Sequence, residues 1–120
     1  MVYTNAELEK MLTQLEPILK FRNKIGYVAA RNYRLISTAL TEYTNFKNEL
    51  IKELGTSEDV DGQERITLRF NSPNFPVYLE KIEPIMSVTQ DVDIIKLKYE
   101  EVIGELSGEE IINLDWLLED

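Results

Sequence analysis

Hydrophobic residues recur at three- and four-residue steps through the first half of the chain, a pattern typical of amphipathic helices. The motif Thr4-Asn5-Ala6-Glu7 predicts a capping box, and the apolar stripe behind it predicts a helix over residues 5–20 that kinks or ends near Pro17. A second stripe has no proline between residues 23 and 54. It predicts one continuous helix, about 40 Å long or more at ~1.5 Å per residue. We expect these two helices to form a hairpin that turns near residues 21–26.

The second half of the chain mixes two periods. Residues 56–63 are polar and predict a turn, whereas residues 64–70 and 91–99 predict two strands that could pair. Residues 75–86 predict a short helix, and Ser107-Gly108-Glu109-Glu110 predicts a second capping box that opens a C-terminal helix. The expected fold is therefore α+β and mainly helical, in a single domain over residues 1–120. It consists of a long helical hairpin, a small two-stranded sheet and a C-terminal helix.

The residue types that usually carry catalysis are missing. The chain has no cysteine and no histidine, which excludes disulfides, thiolate zinc sites and any catalytic site built on a cysteine or histidine. Neighbouring acids such as Glu109 and Glu110 come without a base or a phosphate-binding loop. The Asp59-Val60-Asp61-Gly62 motif has Leu68 where a calcium loop needs its bidentate glutamate. We therefore expect no enzymatic activity, no catalytic residue, no metal and no cofactor.

The net charge of −9, from 22 acids and 13 bases, disfavours contact with nucleic acid and with anionic membranes. No apolar stretch reaches the length of a membrane span, and the first residues do not resemble a signal peptide. A cytoplasmic protein that binds another protein is the expectation from these features.

The charges are unevenly distributed. Residues 17–41 contain bases but no acids, whereas residues 99–120 contain eight acids and no base. The basic stretch, with Tyr27 and Tyr33 as stacking residues, suggests an anion-binding site. Its candidate residues are Lys20, Arg22, Lys24, Arg31 and Arg34. The alternatives are that the acidic C-terminal helix docks on the basic hairpin, that copies associate head to tail, or that a protein partner binds here.

The C-terminal segment holds the only tryptophan of the chain. An amphipathic helix with Trp116 at its centre either closes the protein's own core or inserts into a partner's groove. The candidate partner-binding residues of this segment are Glu109, Glu110, Asp115, Trp116 and Glu119.

Several segments together resemble a family of small uncharacterised bacteriophage and prophage accessory proteins. They are the Tyr27-Val-Ala-Ala-Arg-Asn32 motif, Gly55 followed by Asp61-Gly62, Asp91-Val-Asp-Ile94, and the ending from Leu106 to Asp120. The resemblance implies a phage-encoded accessory protein in the cytoplasm of the bacterial host, and it carries over no site residue.

The leading functional hypothesis is a non-catalytic phage protein that binds a protein and inhibits a host nucleic-acid-binding or defence protein. One alternative is a virion-assembly or tail accessory protein that self-associates through the long helix. Another is a nucleotide-binding sponge that uses the basic stretch at residues 20–34.

Overall fold

The computed structural model describes residues 1–120, apart from the side chain of Val60. Helices dominate and the strands are short, so the predicted mainly helical α+β fold is confirmed. The helices are α1 Asn5–Leu15, α2 Lys24–Ala39, α3 Thr41–Leu54, α4 Phe75–Met86, α5 Tyr99–Val102 and α6 Gly108–Asn113. The strands are β1 Val2–Thr4, β2 Thr56–Val60, β3 Gln63–Thr67, β4 Thr89–Asp91, β5 Leu97–Lys98 and β6 Leu118–Glu119.

By its internal contacts the chain divides into two compact units. The first comprises Met1–Leu40 and Thr89–Asp120, and the second comprises Thr41–Val88. The single domain over residues 1–120 stays a prediction.

The capping box at the start of α1 is confirmed. The backbone N–H of Glu7 donates to Thr4 Oγ1 at 3.1 Å, and the backbone N–H of Thr4 donates to Glu7 Oε1 at 3.0 Å. The helix gives way to a 3-10 turn at Glu16–Ile18 that contains Pro17, because Pro17 has no backbone N–H to donate to the carbonyl one turn before it. Leu8 and Leu15 of α1 are fully buried.

The turn between α1 and α2 depends on a glycine. Asn23 caps α2 by accepting hydrogen bonds from the backbone N–H groups of Ile25 and Gly26. A Cβ atom at Gly26 would lie 1.8 Å from the carbonyl oxygen of Phe21, so only glycine fits there. Helix α2 packs against α1, which confirms the predicted hairpin between the first two helices.

The prediction of one helix over residues 23–54 is wrong. Helix α2 ends at Ala39 and α3 begins at Thr41, because Leu40 leaves the helical region with φ −89° and ψ 3°. The side chains of Ile36, Leu40 and Tyr43 are all buried, and their spacing of four and three continues across the break. Since neither glycine nor proline marks the position, hydrophobic periodicity alone could not reveal it.

In the second unit, β2 and β3 form an antiparallel hairpin with Thr56 opposite Thr67. Asp61 and Gly62 make its two-residue turn with φ values of 52° and 77°, the conformation that an Asp-Gly pair favours. The prediction of a turn over residues 56–63 is therefore wrong, since most of that segment is β2. The segment Thr-Ser-Glu-Asp has no apolar alternation to identify it as a strand. Helix α3 packs against β3 and α4, and α4 has the predicted bounds.

The predicted second strand over residues 91–99 is also wrong. Strand β4 pairs antiparallel with β1, β5 pairs parallel with β6, and neither pairs with β3. The intervening backbone is held by a side chain instead, since the buried amide of Asn32 bonds the backbone of Ile95. Three separate two-stranded sheets thus replace the single sheet expected from the pattern.

The last predicted helix is shorter than expected. Ser107 and Glu110 form the predicted capping box, but α6 ends at Asn113 and is followed by a 3-10 turn, Asp115–Leu117, and by β6. Leu114, Leu117 and Leu118 are buried at spacings that suit a continuing helix equally well, so the pattern did not show the change. No helix in the described part of the chain is long and apolar enough to cross a bilayer.

Candidate partner-binding surfaces

The acids of residues 99–120 fall into two groups. Three of them are used inside the fold: Glu101 pairs with Lys24, Glu110 accepts from the backbone N–H of Ser107, and Asp115 accepts from the hydroxyl of Tyr99 at 2.7 Å. Others are exposed and form no ion pair with any described residue. This exposed group consists of Glu100, Glu105, Glu109, Glu119 and Asp120.

The internal contacts shift two pKa values. The hydrogen bond from Lys24, supported by the one from the backbone N–H of Lys98, lowers the pKa of the Glu101 carboxyl below its ordinary value. The hydrogen bond to Asp115 raises the pKa of the Tyr99 hydroxyl, because it stabilises the protonated phenol and because loss of the proton would place two negative charges together. The carboxylates of Glu101 and Asp115 are therefore both engaged by partners within the fold.

Two isoleucines stand out among these acids. Ile103 is 72% exposed and Ile112 is 77% exposed, although residue 112 belongs to an apolar stripe that predicts core packing. Ile111, its neighbour, is only partly exposed. Ile103 and Ile112 each add exposed apolar area to a part of the chain that otherwise presents acids. The sequence alone did not identify these two residues, since apolar spacing does not show which flank of a short helix faces solvent.

Trp116 is held by the chain itself. Its indole N–H donates to Gln14 Oε1 at 2.8 Å, and its backbone oxygen accepts from Lys96 Nζ. The half-buried ring also lines a groove of about 230 Å³ together with Tyr3 and Met11. These contacts fix the indole against α1, whereas Glu109, Ile112 and Glu119 of the same segment are exposed.

The basic residues are placed partly in a turn and partly on one helix face. Lys20 and Arg22 lie in the segment before α2, whereas Lys24, Arg31 and Arg34 lie on α2. Of the five, Lys24 forms the ion pair with Glu101, and the other four are exposed without an ion pair to any described residue.

The two tyrosines near these bases have different environments. Tyr27 is 65% exposed and lies between Lys24 and Arg31 on the same face, while Tyr33 is partly buried on another side of the helix. Of the two candidate stacking residues, Tyr27 is therefore the exposed one beside the bases. Helix periodicity could have indicated this, since residues 24, 27 and 31 share a face.

Two buried amides carry a structural role that sequence reasoning missed. Asn32 is fully buried and bonds Ile95, and Asn5 accepts from Gln90 Nε2 at 2.6 Å. Buried amides of this kind stabilise one backbone arrangement because their partners would otherwise be unsatisfied.

Nowhere in the described part of the chain do three acidic side chains converge as metal ligands. The family models, the curated proteins and the solved structures that were compared contain no match to this chain.

Proposed function

We propose that the protein acts without catalysis, by binding a basic surface of another protein through its C-terminal acidic segment, residues 107–120. The observation that carries this proposal is the exposure of Glu109, Ile112 and Glu119 in a segment without any base. Asp115 accepts from Tyr99 and Glu110 fixes the start of α6, so these two acids support the fold of the segment.

The charge of this segment selects the class of partner. Oppositely charged surfaces accelerate encounter and disfavour contact with surfaces of like charge, so the exposed acids of residues 107–120 favour a basic surface on the partner. Proteins that bind nucleic acid carry such surfaces. The resemblance implies only a phage-encoded accessory protein in the bacterial cytoplasm. The role proposed there is that of an inhibitor that occupies the nucleic-acid site of a host protein, such as a defence nuclease.

A displacement experiment tests this function. The immobilised chain is incubated with nuclease-treated bacterial lysate, and each captured protein is purified and bound to labelled duplex DNA. Addition of the chain should release the DNA, and excess DNA should release the chain. Capture of the partner by the chain should be stronger at low salt, because screening weakens exposed charge pairs.

The matched variants differ only in where charge is reversed. Glu109→Lys with Glu119→Lys should weaken capture and displacement at least about tenfold, which corresponds to ~1.4 kcal/mol. Glu80→Lys with Glu83→Lys changes the net charge by the same amount on the exposed side of α4 and should leave both unchanged. Equal losses in the two variants would show that only net charge matters, and the assignment of the surface would then be wrong.

A further inference from the structure

Helix α2 presents a basic face to solvent. Lys24, Tyr27, Arg31, Arg34 and Leu35 are all exposed. At 3.6 residues per turn these positions fall within a stripe ~100° wide. The face carries no acid, and Tyr27 gives it an exposed apolar surface near one end. We call this set of five residues the basic face.

An acidic loop adjoins the N-terminal end of the basic face. The end of α5 and the turn after it, residues 100–105, are called here the acidic loop and carry Glu100, Glu101 and Glu105 as well as the exposed Ile103. The ion pair between Lys24 and Glu101 joins the loop to α2. The basic face and the acidic loop are therefore neighbours on one side of the same compact unit.

Charged groups of both the basic face and the acidic loop are left without an ion pair within the described chain. Arg31 and Arg34 lie seven and ten residues beyond Lys24, which places them ~10 Å and ~15 Å further along the helix axis. Neither arginine forms an ion pair with a described residue, and neither does Glu100. Two unlike patches that adjoin each other and leave charged groups unpaired make a self-complementary surface, because a two-fold rotation places each patch on its opposite.

We infer that the chain forms a two-fold symmetric dimer through this surface, with a second copy of the chain as its partner. With the axis beside Tyr27, the two α2 helices run antiparallel. Arg31 of each copy then lies opposite the acidic loop of the other. The exposed rings of Tyr27 and the side chains of Ile103 supply apolar area at the centre of the interface. The residues of the acidic loop lie outside residues 107–120, so this interface leaves the proposed partner-binding segment free.

Charge swapping between two variants tests the dimer on the purified chain alone, independently of any host partner. One variant carries Arg31→Glu with Arg34→Glu, and the other carries Glu100→Lys with Glu105→Lys. Each variant alone should be monomeric by sedimentation velocity, because both contacts of its dimer would bring like charges together. An equimolar mixture should form a dimer of one copy each, because both contacts are again between opposite charges. The chain with all four changes should dimerise as the unmodified chain does.

Salt and a charge-matched control complete the experiment. The unmodified chain should be a dimer at about 0.05 M NaCl. Its dimer dissociation constant should be at least about tenfold higher at about 0.5 M, where the Debye length falls below ~5 Å. Glu80→Lys with Glu83→Lys should dimerise normally. If a reversed variant fails to fold by circular dichroism, Arg31→Ala with Arg34→Ala replaces it and should still weaken the dimer.

Three outcomes would overturn the inference. They are a monomer at every concentration in low salt, a series of growing oligomers that indicates an open head-to-tail contact, and a mixture of the two reversed variants that stays monomeric. Labelled single-stranded DNA that binds the unmodified chain and is lost with Arg31→Glu and Arg34→Glu, without any dimer, would assign the basic face to nucleic acid instead.

Discussion

The side-chain amide of Asn32 pairs with both backbone polar groups of Ile95. Its Nδ2 donates to the carbonyl oxygen of Ile95 at 2.9 Å, and its Oδ1 accepts from the N–H of Ile95 at 2.8 Å. The arrangement imitates one rung of a sheet, with a helix side chain in place of a neighbouring strand. It explains why residues 92–96 run between β4 and β5 without a ladder of their own. Asn32, which is fully buried in α2, thereby positions residues 92–96, and these lead to the acidic residues 99–120.

Replacement of Asn32 by alanine should be strongly destabilising. The change removes two hydrogen bonds and leaves the N–H and carbonyl of Ile95 without partners, which should cost about 2–4 kcal/mol. Urea unfolding followed by circular dichroism measures the loss. Asn48→Ala, at an exposed position of α3, should stay within ~0.5 kcal/mol of the unmodified chain. A loss at Asn32 no larger than at Asn48 would contradict the role assigned to the amide.

Local signals predicted the elements that depend on local contacts. The capping boxes that begin at Thr4 and Ser107 are formed as their sequences indicate, and α4 has the expected bounds. These features depend on residues three or four positions apart, so a single stretch of sequence contains all the information.

The errors have a different physical origin. The break at Leu40, the pairing of β4 with β1 and the contact of Asn32 with Ile95 all depend on partners far apart in the chain or on spacing that two structures share. The exposure of Ile112 is of the same kind, since it depends on what covers α6. A single sequence shows the spacing of apolar residues along a helix, but it does not show which side of that helix other parts of the chain cover.

Gly26→Ala should destabilise the chain by about 2 kcal/mol or more, through a steric clash at a site with no room for a side chain. The new Cβ would lie 1.8 Å from the carbonyl oxygen of Phe21, so the α1–α2 turn must move. Gly108→Ala is the matched control, because nothing lies within 4 Å of a Cβ there. Alanine at that helical position should be neutral or stabilising by up to ~1 kcal/mol. Thermal unfolding of both variants measures the difference, and equal melting temperatures would refute the steric argument.

The ion pair between Lys24 and Glu101 should make stability depend on pH. The bond from Lys24 lowers the pKa of the Glu101 carboxyl in the folded state from an ordinary value of 4.5, so the unfolded chain binds this proton more readily. The contribution is therefore fully present above pH ~5 and is lost as the pH falls through the lowered value. Glu101→Gln should reduce stability at pH 7 and reduce it less at pH 3, as measured by urea unfolding at both pH values.

The control for this ion pair is Glu100→Gln, at the exposed neighbouring position. It should show no such dependence on pH relative to the unmodified chain. If Glu101→Gln lowered stability equally at pH 7 and pH 3, the loss would come from the amide's weaker bond to the Lys98 N–H and not from the charge.

Trp116→Phe separates a structural role of the tryptophan from a direct role in binding. The variant loses the indole bond to Gln14, and because the site is half-buried, water can reach the freed oxygen. The cost should therefore be about 0.5–1.5 kcal/mol in urea unfolding. Capture of the basic partner should be unchanged at a temperature where the variant is folded, whereas Glu109→Lys with Glu119→Lys should lose it. Loss of capture in folded Trp116→Phe would instead assign the tryptophan to the interface, since a ring that only anchors α1 to the C-terminal turn has no contact to lose with a partner.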